Sequence, residues 1–127
     1  MGADLKITSE RAQGREDIVV FHLGGWLDQL GEGRLVAAVQ KAKDEGAGYA
    51  LLELSEMDTI TSAGIRAMQK AYQILTPKED AYKIPHLKLC DAPAQVYQVL
   101  GITGFLINAP MYESMEDAID SFSQKEN

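Results

Sequence analysis

The residues best placed to do chemistry lie in one stretch, Glu53-Leu54-Ser55-Glu56-Met57-Asp58-Thr59-Ile60-Thr61-Ser62-Ala63-Gly64-Ile65. A strand-like run, Tyr49 to Leu54, leads into it, and a helical period follows Ser62, so it reads as strand, loop and helix start. Thr61-Ser62-Ala63-Gly64 then sits at the helix N-terminus. Two jobs fit that place. A Ser or Thr hydroxyl there can accept a hydrogen bond from an orphan backbone N–H, worth about 1 kcal/mol. Gly64 lets a neighbouring backbone approach closely. The other job is phosphate display. Free N–H groups and the positive dipole end suit a phosphoryl group on Ser62. Such a group adds about −1.5 to −2 charges and would block a docked partner by repulsion or desolvation. On residue physics alone the cap is the commoner outcome, since most helix-start serines only cap.

Other reactive side chains are few. His22 lies in an apolar run, where a histidine is more often a core or pocket-edge residue than a base. His86 follows Pro85 at a strand entrance and is expected to be half exposed. No Ser, Cys or carboxylate stands at a recognised catalytic spacing from either. No H-x-x-x-H or C-x-x-C pair offers a metal site, and no metal or other cofactor is expected. The glycine pairs Gly24-Gly25, Gly31-Glu32-Gly33 and Gly101-Ile102-Thr103-Gly104 form neither a dinucleotide fingerprint nor a Walker loop; they read as turns and helix ends. Cys90 reads as a small buried hydrophobe.

Composition narrows the class. At 127 residues with 46% apolar and 24% charged residues, the chain fits one soluble globular domain, residues 1–127 with a core of about 15–122. A net charge of −7, with 12 basic residues scattered among 19 acidic ones, argues against a nucleic-acid partner. The acidity serves solubility, a partner with a basic face, or both. A lone cysteine allows no internal disulfide and suits a reducing compartment. Met1 to Lys6 lacks a secretory pattern, and no run approaches the roughly 20 apolar residues that span a bilayer, so a cytoplasmic protein without membrane insertion is expected.

The elements that must position these residues follow from periodicity. Leu5 to Ser9 alternates as an edge strand should, and Gln13-Gly14-Arg15 forms a turn. Ile18 to Leu23 is a buried strand that Gly24-Gly25 ends. A helix after Asp28 carries Leu35, Ala38, Val39 and Ala42 on one face, with its start weakened by Gly31 and Gly33, and stops at Gly46-Ala47-Gly48. The helix after Ser62 carries Ile65, Met68, Tyr72 and Leu75 and closes at Thr76-Pro77. His86 to Cys90 is a strand. Pro93 opens a third helix with Val96, Val99 and Leu100, which Gly101 ends. Leu106-Ile107 begins a last strand near Met111-Tyr112, and Ser114 to Asp117 caps a final helix carrying Ala118, Ile119 and Phe122. Alternating strands and helices imply a single-domain α/β sandwich: a mainly parallel sheet, an antiparallel edge strand and about four covering helices. Ligands and partners of such sheets favour the strand carboxyl ends, where Gly25 to Asp28 and Thr59 to Gly64 both fall. Trp26, in the first of these turns, is either a partner anchor or a lid over the sheet end.

These segments together resemble the STAS domain family of sulphate transporters and anti-sigma factor antagonists. Glu53-Leu54-Ser55 and Thr61-Ser62-Ala63-Gly64-Ile65 resemble its signature, a strand-end Asp or Asn with Leu and Ser, then an Asp-Ser-Ser-Gly-Leu-like turn. Gly25-Trp26-Leu27-Asp28 resembles its Gly-x-Leu-Asp turn, Val99-Leu100-Gly101-Ile102 its third-helix exit, and Tyr112 to Ala118 its closing strand-to-helix turn. The likeness runs from about Ile18 to Phe122. The chain departs from the pattern at Thr61, where Asp is usual, at Ala63, where a hydroxyl residue is usual, and at Glu53.

The resemblance implies a regulatory binding module rather than an enzyme. Such an antagonist docks an anti-sigma factor that is often also a serine kinase of the histidine-kinase-like ATPase fold. Phosphorylation of the turn's first serine releases it, and a serine phosphatase resets it. The matching phosphoacceptor is Ser62, with Thr61 the alternative. The matching partner surface is Trp26, Asp28, Asp58, Thr59, Thr61, Ser62, Ala63 and Gly64. The family also includes constitutive adaptors in lipid-transport ATPase and stress-sensing complexes, which the altered turn favours, and some nucleotide binders. Self-association is a further expectation.

Overall fold

The computed structural model describes residues 4–81 and 83–123. Five strands form one sheet in the order β1-β2-β3-β4-β5. They are β1 (Lys6–Ala12), β2 (Arg15–Leu27), β3 (Tyr49–Ile60), β4 (Leu87–Cys90) and β5 (Met111–Tyr112). β1 runs antiparallel to β2, and every other pairing is parallel. The helices are α1 (Gln29–Asp44), α2 (Ser62–Leu75), α3 (Ala94–Ile102) and α4 (Met115–Ser121). The single-domain α/β sandwich with an antiparallel edge is as the sequence implies.

Period-two alternation divides the sheet into two faces. Val19, Phe21 and Leu23 of β2, Ala50, Leu52 and Leu54 of β3, and Leu87 and Leu89 of β4 pack with α1, α2 and α3 in the main core. Ile18, Val20, Leu51 and Cys90 face the other way, into a smaller cluster closed by Ala118, Ile119 and Phe122 of α4. That second face is covered only in part. Its row toward the strand carboxyl ends holds His22 and Glu53 instead of apolar groups.

Three boundaries differ from the sequence reading, each for a physical reason. Gly24-Gly25 does not end β2, which continues to Leu27. Nor is Ser55 to Ile60 a loop; β3 continues through it, with Gly24 opposite Glu56, Gly25 opposite Met57, Trp26 opposite Thr59 and Leu27 opposite Ile60. The register slips twice, between His22 and Gly24 and between Gly25 and Trp26. Each slip is a bulge that leaves one extra residue on β3, and glycine in a strand often marks such a site. Gly25 takes φ +80°, a value glycine adopts without strain. The bulges also explain why Leu54, Met57 and Ile60 are all buried at intervals of three rather than two. The third difference is Leu106-Ile107, which lies in a 3₁₀ turn (Phe105–Ile107) and not in a strand. The last strand is the Met111–Tyr112 pair alone.

Smaller shifts follow the capping chemistry. Asp28 is the N-cap of α1, its carboxylate accepting from the Leu30 and Gly31 amides, so the helix starts despite Gly31 and Gly33. Pro93 stands just outside α3, and that helix runs one residue past Gly101. Ser114 caps α4 through the Asp117 amide at 3.1 Å, as expected. His86 is buried at 8% exposure, not half exposed. Its ring hydrogen-bonds the Gly48 carbonyl and Asp80 and stacks on Tyr49.

The start of α2 is fixed by contacts with the end of β2. A Cβ on Gly64 would stand 2.3 Å from the Leu27 carbonyl oxygen and 2.8 Å from Ile60 Cγ1. Backbone cannot yield as a flexible side chain can. Gly64→Ala is therefore expected to destabilise the fold by about 1–3 kcal/mol in urea titration. Gly33→Ala, in a helix with open space around the new methyl, is expected to stabilise it by about 0.5–1 kcal/mol. The cap residue is Thr61, whose Oγ1 accepts from the Gly64 amide at 3.4 Å. Thr61→Ala should cost about 1 kcal/mol. Ser62→Ala should stay within about 0.5 kcal/mol of wild type in the same titration.

Candidate functional site

The turn between β3 and α2 is held from below and open above. Leu27 at the end of β2 offers its carbonyl, which accepts from the Thr61 amide at 3.0 Å and from the Thr61 hydroxyl at 3.4 Å. Thr61 therefore ties the two strand ends to the helix start. Ala63 and Gly64 are buried against that junction. Residue physics alone expects Ser62 to be the cap; the geometry corrects this, because Thr61 holds the extended cap position and Ser62 is already helical. Ser62, the first helical residue, is exposed, and its hydroxyl makes no hydrogen bond among the described residues. It is free to be modified or to meet a partner. A phosphoryl group on it would lie by the amides of the first turn, where the helix dipole favours negative charge.

The other expected site residues fall partly around this turn. Asp58 is exposed and Thr59 half-buried on the last stretch of β3, and Trp26 pairs with Thr59 across the strands at 36% exposure. Asp28 is engaged as the α1 cap, so its carboxylate is committed to structure. Its neighbour Leu30 is 83% exposed, an apolar group that sequence reasoning did not single out. Periodicity could not mark it, because it lies in the first turn of α1, outside the apolar stripe of Leu35, Val39 and Ala42.

One helical turn beyond Ser62, Arg66 approaches Glu32 of α1 at 3.7 Å, and Lys70 reaches the same carboxylate at 3.0 Å. The Lys70 hydrogen bond holds the Glu32 carboxyl below its usual range, assisted by Arg66. This exposed pair links α1 to α2 beside the turn. Arg66 keeps a side-chain exposure of 56% and can swing toward a new negative charge on Ser62 at little cost.

Sequence reasoning also missed a cluster on the α4 face. His22 Nδ1 lies 2.8 Å from Glu53 Oε1, and Nε2 lies 2.6 Å from Glu10 Oε2. The other oxygen of Glu53 accepts from the Ser55 amide at 2.8 Å. No local signal could reveal this, because the three side chains come from three strands and meet only through the sheet register. Cys90, across from Glu53, is buried, and burial pushes its thiol well above the ordinary range. A thiol kept protonated is a poor nucleophile. Among the described residues no group of three metal-ligating side chains converges, and no helix is long and apolar enough to cross a membrane.

No protein-family model matches the chain. It is 28% identical over 118 residues to BtrV of Bordetella bronchiseptica, a protein assigned as an anti-sigma factor antagonist, covering 93% of this chain and 95% of that one. Among solved structures, an anti-sigma factor antagonist from Mycobacterium paratuberculosis superposes with a TM-score of 0.79 at 16% identity, over 95% of this chain and 96% of its own. The unphosphorylated form of the anti-sigma factor antagonist SpoIIAA superposes with a TM-score of 0.75 at 20% identity, over 96% of this chain and all of its own (100%). The two structures share the sandwich fold, and the curated relative extends the likeness to the sequence over nearly the full length of both chains. The chain is thus similar in sequence to a curated anti-sigma factor antagonist and shares its fold with solved structures of that kind.

Proposed function

We propose that the chain is an anti-sigma factor antagonist, a binding module that docks an anti-sigma factor and so releases a sigma factor. One observation carries the reading. Ser62 stands exposed at the start of α2 while its neighbour Thr61 does the capping, so the serine has no structural duty to lose. Docking uses the turn Asp58 to Gly64 together with Trp26 and the α1 start at Asp28. Trp26 supplies the aromatic anchor that interfaces favour. The partner is a serine kinase of the histidine-kinase-like ATPase fold, acting in the cytoplasm. Its transfer of a phosphoryl group to the Ser62 hydroxyl puts new charge in the middle of the interface, and a serine phosphatase removes it. The chain does no chemistry itself.

A specific observation favours a second reading, in which the module is a constitutive adaptor in a transporter or stress-sensing assembly. The turn has Thr61 in place of the usual aspartate, and its hydroxyl is committed to Leu27 and Gly64.

The two readings separate in a pull-down from native lysate with wild type, Ser62→Ala and Ser62→Asp, the captured proteins being identified by mass spectrometry. The switch predicts a kinase captured by wild type and by Ser62→Ala, and reduced at least about tenfold with Ser62→Asp, a loss of about 1.4 kcal/mol. Transporter or scaffold subunits captured equally by all three would establish the adaptor instead.

A further inference from the structure

We propose that His22, held as an imidazolium between Glu10 and Glu53, is a positioning residue that fixes the β3 bulge below the Ser62 turn and makes the turn's display depend on pH. The inference rests on the docking role of that turn and adds its regulation.

Both ring nitrogens of His22 face carboxylate oxygens, at 2.6 and 2.8 Å. A neutral imidazole has one N–H and can satisfy only one of them; the imidazolium satisfies both. The geometry is therefore that of the charged ring. Burial is partial, with His22 at 33% side-chain exposure, Glu10 at 60% and Glu53 at 12%, so protons exchange freely with solvent.

Glu53 Oε1 takes the His22 proton donor while Oε2 takes the Ser55 amide. Ser55 lies in the first bulge, where Leu54 and Ser55 together oppose Leu23. The carboxylate thus gives the bulged amide a partner and is itself held by His22. Beyond the bulge come Glu56 to Ile60, then Thr61 and Ser62. Their register against Gly24 to Leu27 is set by the extra residue, and a slip by one would turn their side chains to the opposite face. Loss of the proton leaves a ring lone pair against one carboxylate, and the Glu53 arm relaxes.

The surrounding charges favour the protonated ring. β1 brings Glu10, with Lys6 further along the same face. β3 brings Glu53, β4 brings Cys90, and Asp91 follows it at φ +60°. From α4, Glu116 and Asp120 line a cleft with Glu10. β4 also brings Lys88, on the same face as Cys90 and donating to Ser121 of α4, and the acids still outnumber Lys6 and Lys88. The Glu53 hydrogen bond, reinforced by Glu10, raises His22 above its ordinary 6.5. Burial pushes Glu53 upward, but the bonds from Ser55 and His22 outweigh it and hold the carboxyl below its usual range. The signs then set a window. The His22 contribution is complete below 6.5 and fades as pH rises through its raised value. The Glu53 contribution is present above its ordinary 4.5 and fades as pH falls through its lowered value.

The test needs no partner, so its failure is distinct from failure of the docking role. A pH titration of the isotopically labelled chain follows the His22 ring and the Ser55 and Ser62 amides by NMR. The expected result is one shared midpoint, above that of an ordinary histidine, for all three signals. His22→Gln should abolish the amide transitions, while Glu10→Gln should shift the common midpoint down and keep the three together. Ser55 and Ser62 amides that stay flat while His22 titrates, or that titrate unchanged in His22→Gln, would overturn the proposal.

Discussion

The Leu27 carbonyl accepts from both the amide and the hydroxyl of Thr61, and Gly64 packs so tightly on it that a methyl group would clash. The whole functional end depends on that junction. Through it the parallel strands β2 and β3 finish side by side, and α2 begins in a fixed direction from their ends. Thr61 caps the helix and Gly64 permits the approach. Ser62, between them, is turned to solvent. A serine that is both fixed in place and free of duties is the geometry a phosphorylation switch needs, and rigidity of the surrounding turn is what a docking surface needs.

The sheet divides the labour between its faces. α1, α2 and α3 bury the main core, and that mass anchors α2 below the turn. The opposite face carries only the short α4 and a small apolar cluster, leaving room for a polar row of His22, Glu53 and Glu10. This row replaces hydrophobic burial with charge pairing at the place where β3 must bulge. The bulges are what carry β3 as far as Ile60, and their cost in lost ladder hydrogen bonds is offset in part by the Glu53 carboxylate on the Ser55 amide.

Much of this was legible in the sequence, and the exceptions share a cause. The βαβ order, the edge strand, the α2 stripe of Ile65, Met68, Tyr72 and Leu75, and the cap at Ser114 were all visible because each depends on local period or capping chemistry. The end of β3 was not, because its bulges space Leu54, Met57 and Ile60 by three and erase the alternation that marks a strand. Gly24-Gly25 misled for the same reason, reading as a strand end where the pair lies opposite the bulges of β3. The Thr61–Ser62 assignment needed the Leu27 carbonyl, which is far away in sequence. The His22 cluster needed the register of three strands at once, and the burial of His86 needed the Tyr49 ring and Asp80.

A partner that docks as proposed covers the β3–α2 turn. Hydrogen exchange measured with and without the captured partner maps the contact directly. The account predicts slowed exchange at residues 59–66 together with 26–30, and unchanged exchange at the exposed apolar groups Ile102 and Ile107 on the α3 exit. Protection confined to the α3 exit, with the Ser62 turn unaffected, would contradict it.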